Sequence, residues 1–350
     1  MARSKTYIAT PPGATIKEQL EYRGMSQREF ARRMDYSEKF ISQLINGQVE
    51  LTPNTAHRLE MVLGVPSAFW MNLEARYREK LLQVEDENSI EEDKQIARKF
   101  PYAQMAKLGW VEPTRSVAVK VVELRKFFEV VRLTLLNEDR LAPGIAYRRQ
   151  KETAESEYAL LAWAQKAKID ARGITTCKIN VGKLEECIPK LRELTSMDPA
   201  DFQPALVSML AECGIATVFL PHLEHTFLNG ATFYDGSKIV LALTLRGADA
   251  DKFWFSLFHE LAHVIKGHIG RTTGTTEEEE RTADAFARDT LIPPESYAQL
   301  AVGNKTCSSV MSFANEIGIA PGIVVGRLQK DGYLPYSQLN SLKVRYQFAE

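Results

Sequence analysis

Two short helix signals joined by a tight turn constrain this chain more than any other stretch. They lie in MSQREFARRMDYSEKFISQLINGQ, residues 25–48. Ser26 can cap a first helix, with Glu29 three residues on as the other half of a capping box. Phe30, Ala31 and Met34 supply that helix's apolar face, and Asp35-Tyr36 makes the turn. Ser37 caps a second helix whose apolar face is Phe40, Ile41, Leu44 and Ile45. Asn46-Gly47 ends it as a left-handed C-terminal cap would. Two short helices, a tight turn and a small Ala31 at the crossing predict helix-turn-helix geometry. In such a unit the first residues of the second helix meet base edges in the major groove. Here those are Glu38, Lys39, Ser42 and Gln43. Glu can accept from cytosine, Lys can donate to guanine and Gln can pair with adenine. Gln27 and Arg28 open the first helix, where backbone amides can receive a phosphate.

Charge limits how such a reader can work. The 350-residue chain has a formal net charge of -1, so any hold on a polyanion must be local. Residues 1–83 carry 12 Lys and Arg against 9 Asp and Glu. So small an excess predicts a homodimer, or a second basic element, on double-stranded operator DNA.

A second constellation lies in FSLFHELAHVIKGH, residues 255–268. His259 and His263 stand four residues apart, about 40° round one helix face, and can grip one cation. Glu260 lies beside them as a general base, completing an H-E-x-x-H arrangement. Zinc suits such a set, which leaves one position for water, and manganese is the second choice. The next helix, EEEERTADAFARD (277–289), offers a third ligand. Glu280 sits one turn before Asp284, so Glu280 can ligate while Asp284 holds a ligating histidine through its other ring nitrogen. A strand pair precedes the motif and offers an edge to an extended peptide. His222, His225 and His268 are weaker candidates, as oxyanion partners or loop histidines.

Both constellations resemble known families. Residues from about Pro11 to Tyr77 resemble the Xre-type helix-turn-helix of HigA-like antitoxins. The matching pieces are PPGATIKEQLEYRGMSQREFARRM, SEKFISQLINGQVELTPNTAHRLE and GVPSAFWMNLEARY. The resemblance places base-reading positions at Ser37, Glu38, Lys39, Ser42 and Gln43, with Gln27 near a phosphate. Asp35 stands where that family commonly has glycine, in a turn that needs positive φ; Asp tolerates it better than most residues. HigA-like antitoxins dimerise, repress their own operon and bind a toxin, usually a small ribonuclease. Residues from about Gly214 to Pro293 resemble the ImmA/IrrE metallopeptidases, through GATFYDGSKIVLAL, HELAH and ERTADAFARDTLIP. Asp284 replaces that family's usual asparagine, and aspartate serves at this position in other zinc peptidases with a glutamate ligand. Members of that family typically cleave a transcriptional repressor in response to a signal.

The expected architecture is a multidomain chain. Residues 1–83 form an all-α helix-turn-helix domain, and 84–195 a helical connector or scaffold that opens on the acidic run VEDENSIEED (84–93). Residues 196–305 form an α+β zincin-like domain, and 306–350 a C-terminal helical extension that completes its core. Trp70 reads as a core or dimer-interface aromatic, and Trp254 as packing behind the zinc helix. The four cysteines are irregularly spaced and read as free thiols. No signal peptide or membrane span is legible, so a cytoplasmic protein is expected. Two functions follow. One is a DNA-binding antitoxin or autorepressor of a toxin-antitoxin operon, with a cognate toxin as partner and a zinc-peptidase-like domain. The other is an active zinc endopeptidase that cuts a repressor, a toxin or itself.

Overall fold

The computed structural model describes residues 2–137, 154–224, 226, 229–245, 249–270 and 274–347. Contacts divide the chain into two units, Met1–Gln95 and Ile96–Glu350.

The first unit opens with a two-stranded antiparallel hairpin, β1 (Ala2–Arg3) and β2 (Ile8–Ala9). Five helices follow: α1 (Gly13–Tyr22), α2 (Gln27–Met34), α3 (Glu38–Ile45), α4 (Pro53–Leu63) and α5 (Ser67–Ala97). Local chemistry sets their ends. Ser26 accepts from the Glu29 amide and Ser37 from the Phe40 amide, so both helices of the pair are capped as the sequence expects. The reciprocal half of the first capping box is replaced by an ion pair, in which Glu29 holds Arg33 at 2.5 Å. Asp35 takes the left-handed conformation, φ 54°, and turns the chain between α2 and α3. α1 and α3 touch backbone to backbone. A β-carbon on Gly13 would stand 2.0 Å from the Ile45 carbonyl oxygen, so only glycine fits there. Ile16, Phe30, Met34, Ile41, Leu59 and Trp70 form the core. Trp70 is fully buried and donates to the Val65 carbonyl at 3.1 Å, which makes it a core residue. The acidic run 84–93 is helical, inside α5, and Glu87 there accepts from the backbone and hydroxyl of Thr6 at 3.0 and 2.7 Å.

The second unit is mostly helical around a small mixed sheet. Its elements are α6 (Tyr102–Lys107), α7 (Val117–Phe128), α8 (Ala154–Ala171), α9 (Val181–Glu193), α10 (Pro199–Glu212), β3 (Ile215–Leu220), β4 (Gly230–Asp235), β5 (Lys238–Thr244), α11 (Ala250–Ile265), α12 (Glu277–Leu291), α13 (Pro294–Val302), α14 (Cys307–Ile317) and α15 (Pro321–Lys330). The strand order is β3-β5-β4, with β5 parallel to β3 and antiparallel to β4. Asp235 and Lys238 close the β4–β5 turn, so the hairpin forms where Asp235-Gly236 suggests. α8 packs on β3 and β5, and Trp163 donates to the Pro221 carbonyl at 3.2 Å. This part of the middle region is scaffold: its Leu160, Trp163 and Ala167 are buried.

α11 lies against β4 and β5 and is paired with α12. Trp254 is fully buried and donates to the Tyr346 hydroxyl at 3.0 Å. The C-terminal run 313–334 supplies Phe313, Ile323, Val324 and Leu328 to the core that holds Trp254, Leu257 and Phe258. Among the described residues no single helix is long and apolar enough to cross a membrane.

Candidate DNA-reading helix and metal centre

In the first unit Gln27, Arg28, Ser37, Glu38 and Lys39 are exposed, and Ser42 and Gln43 are half-exposed. The residues that face inward from α2 and α3 are Phe30, Ala31, Met34, Ile41 and Leu44. The sequence-predicted reading positions therefore stand on the outer face, free of core duty. Arg28 and Glu38 are 3.4 Å apart across the turn, both well exposed. Arg58 of α4, which the sequence reading passed over, fastens the turn. It donates to the Met34 carbonyl at 2.8 Å, reaches the Asp35 carboxylate at 3.2 Å and covers the Tyr36 ring at 4.8 Å.

In the second unit the helical period of α11 turns His259 and His263 to one point. Their Nε2 atoms are 3.1 Å apart. Glu280, in the first turn of α12, sets Oε2 3.4 Å from His259 Nε2 and Oε1 3.4 Å from His263 Nε2. The outward ring nitrogens are held from behind. Asp284 stands 2.9 Å from His259 Nδ1, and His268 Nδ1 stands 3.1 Å from His263 Nδ1. Thr275 donates to Glu280. His263 is 1% exposed, so the set is reached past His259 and Glu280 rather than from all sides.

Glu260 is buried beside this set, and the Thr232 hydroxyl of β4 donates to its carboxylate. Gly230, two residues earlier on the same face of β4, makes room for it. A β-carbon there would stand 2.9 Å from Glu260 Cγ. Burial pushes the Glu260 carboxyl above the usual carboxylate range, against the opposing pull of His259 and His263. Burial works against the charged form of His259, but hydrogen bonds to Asp284 and Glu280 outweigh it and hold the imidazole up to about 10. Glu280 is buried too, yet its bonds to His259, His263 and Thr275 hold it well below the ordinary range.

Comparison with known proteins separates the two units. The HTH_3 helix-turn-helix family model matches residues 16–70. Over 63 residues the chain is 40% identical to the uncharacterized HTH-type transcriptional regulator YddM of Escherichia coli (strain K12), a stretch that covers 18% of this chain and 67% of that one. The chain belongs to the HTH-type transcriptional regulators. It is also similar to a solved structure, an addiction module antidote protein of a HigA family from Coxiella burnetii. That likeness is 27% identical and covers 24% of this chain and 94% of that one, at a TM-score of 0.22.

Sequence reading of this HTH-type regulator singled out His259, His263, Glu280, Glu260 and Asp284, named His268 only as a weaker candidate, and missed Thr232 and Thr275. Thr232 was hidden because its role exists only once β4 lies under α11. Thr275 and His268 sit in loops, where no period marks a facing side. His268 was considered as an oxyanion partner and instead orients His263. His222 lies 3.3 Å from the Thr226 hydroxyl. His225 lies outside the described residues.

Proposed function

We propose that this regulator is a HigA-like antitoxin or autorepressor whose second unit carries a zincin-like metal centre of the ImmA/IrrE type. The observation that carries the metal reading is the convergence of His259 Nε2, His263 Nε2 and a Glu280 carboxylate on one point. Donors about 2.0–2.1 Å from a shared tetrahedral zinc stand about 3.3 Å apart. The two Nε2 atoms, 3.1 Å apart, fit that edge length, and Glu280 sets Oε2 3.4 Å from His259 and Oε1 3.4 Å from His263. Two imidazoles and one carboxylate match zinc's donor preference, and manganese is the alternative. Zinc held by these three residues would supply a Lewis acid that makes water nucleophilic near neutral pH.

The chain's own residues do the rest. Asp284 fixes the ring of His259 and keeps its Nε2 lone pair turned inward. His268 does the same for His263. Glu260 is placed to accept a proton beside the donor set, and burial raises its affinity for protons. Thr232 holds that carboxylate in place. β4 ends the sheet on one side, so an extended peptide has a strand edge to pair with. A protein that used the metal only as a scaffold would need His259, His263 and Glu280 but not a buried Glu260. This favours working endopeptidase chemistry, on a repressor, a toxin or the chain itself, over a silent fold.

The first unit's role is to bind operator DNA as a homodimer. The toxin partner rests on the resemblance of residues 11–77 to HigA-like antitoxins. Metal analysis of the purified chain tests the centre. About one zinc or manganese per chain is expected, and His259→Ala should lose it. A wild-type chain that takes up neither metal after reconstitution would falsify the centre and leave a DNA-binding regulator alone.

A further inference from the structure

Beside the ligand residues, α11, α12 and α15 enclose a cavity of about 540 Å³. That is the size of a small-molecule site. Its place follows from helix periodicity. Phe255 and Lys252 lie one and two turns before His259 on α11. Asp284 and Arg288 lie one and two turns after Glu280 on α12. All four line the cavity, so it continues the face that carries the ligand residues.

Its charges are unevenly satisfied. Each carboxylate in the lining is already engaged. Asp284 faces His259 at 2.9 Å, Asp251 holds Lys343 at 2.9 Å, and Asp331 takes Arg327 at 2.5 Å and the Tyr297 hydroxyl at 2.7 Å. Lys330 is in no ion pair among the described residues; its ammonium lies 4.5 Å from the centroid of the Phe255 ring. Among the described residues Arg288 pairs only with its neighbour Asp289, at the surface, a contact worth little. The complement of this lining is an anion. Leu291, Ile292 and Ile323 are buried behind it and give an apolar floor.

We propose that this cavity binds an apolar amino-acid residue with a free carboxylate, either as an acylated amino acid or as the last residue of a peptide. Lys330 and Arg288 take the carboxylate, and the side chain lies on Leu291, Ile292 and Ile323. Calorimetric titration of the full chain with N-acetyl-L-leucine and with N-acetyl-L-leucinamide tests this on the unaltered protein. The acid should saturate one site per chain and bind at least tenfold more tightly than the amide. Lys330→Ala and Arg288→Ala should each weaken the acid at least fivefold at unchanged melting temperature, and Ser256→Phe, which fills the cavity, should abolish binding. An acid that binds no better than its amide, or that ignores all three substitutions, overturns the proposal. A pentapeptide ending in leucine separates the sources: tighter binding than N-acetyl-L-leucine supports a peptide terminus, and equal binding supports the free acyl amino acid. His263→Ala removes a proposed metal ligand that touches no residue of the lining and should leave this binding in place, so the two readings fail separately.

Discussion

Asp284 shows how far single residues can be read. Its spacing from Glu280 on one helix face was enough to expect a carboxylate behind a ligating histidine, and it stands 2.9 Å from His259 Nδ1. Asp284→Asn keeps the shape but weakens the hold on the ring, so zinc affinity should fall about 10–100-fold. A competition titration against a chromophoric chelator measures this; unchanged affinity would show that Asp284 does not orient the ligand. The same titration should depend on pH. Without metal, His259 is held up to about 10 and carries a proton at neutral pH, which zinc must displace. Apparent affinity should therefore rise about tenfold per unit between pH 6 and 8. The sign for folding is the reverse. A raised histidine stabilises the metal-free chain fully below its ordinary 6.5, and this is lost as pH rises through about 10. Thr232 and His268 were not legible in this way, because a hydroxyl on a strand or a histidine in a loop gains its role only from what the fold brings opposite it.

At the scale of elements, caps and turns carried most of the sequence's information. Ser26, Ser37 and Gly47 mark the ends of α2 and α3, and each takes up the role its chemistry suggests, with Gly47 at φ 68°. Gly13 carried no such mark. Its reason is the Ile45 backbone, which no local pattern reveals. Gly13→Val should lower stability by about 1–3 kcal/mol through overpacking at this crossing, read as a drop in the melting temperature of the first unit. α3 bears the DNA prediction. Lys39→Ala and Gln43→Ala should each cost about 1–3 kcal/mol at the specific operator and relax its sequence preference. Arg28→Ala should weaken all sequences alike and flatten the salt dependence. Anisotropy titrations in which both α3 variants bind the operator normally would exclude α3 as the reader. α5 was the least legible helix. Its acidic stretch lacks apolar periodicity and suggested a break, yet Glu87 within it is tied to Thr6 of the N-terminal hairpin, and the helix runs on to Ala97.

The whole molecule joins a helix-turn-helix unit to a larger unit with its own core and the cluster of His259, His263 and Glu280. The first unit's reader has few positive charges to spend. Across residues 1–83 the excess is 12 basic over 9 acidic side chains, so a single copy makes too few phosphate contacts for tight binding. Dimerisation through the first unit is the expected remedy, and sedimentation of the chain with and without operator measures it. The helices of the second unit's C-terminal run turn Phe313, Ile323, Val324 and Leu328 into its own core. On the antitoxin reading proposed above, it would bind a protein partner, a cognate toxin. If that partner changes operator affinity, the operator must change partner affinity by the same factor, and about 1–3 kcal/mol is typical of such coupling. A fragment ending at Gln95 is the proper comparison, because one ending earlier in α5 would cut into the helix that holds the N-terminal hairpin. Operator affinity should differ by about 5–150-fold between the full chain with and without its partner, while the fragment ignores the partner. Equal affinity in all three cases would mean that the two units are only tethered, and the independent peptidase reading of the second unit would take the lead.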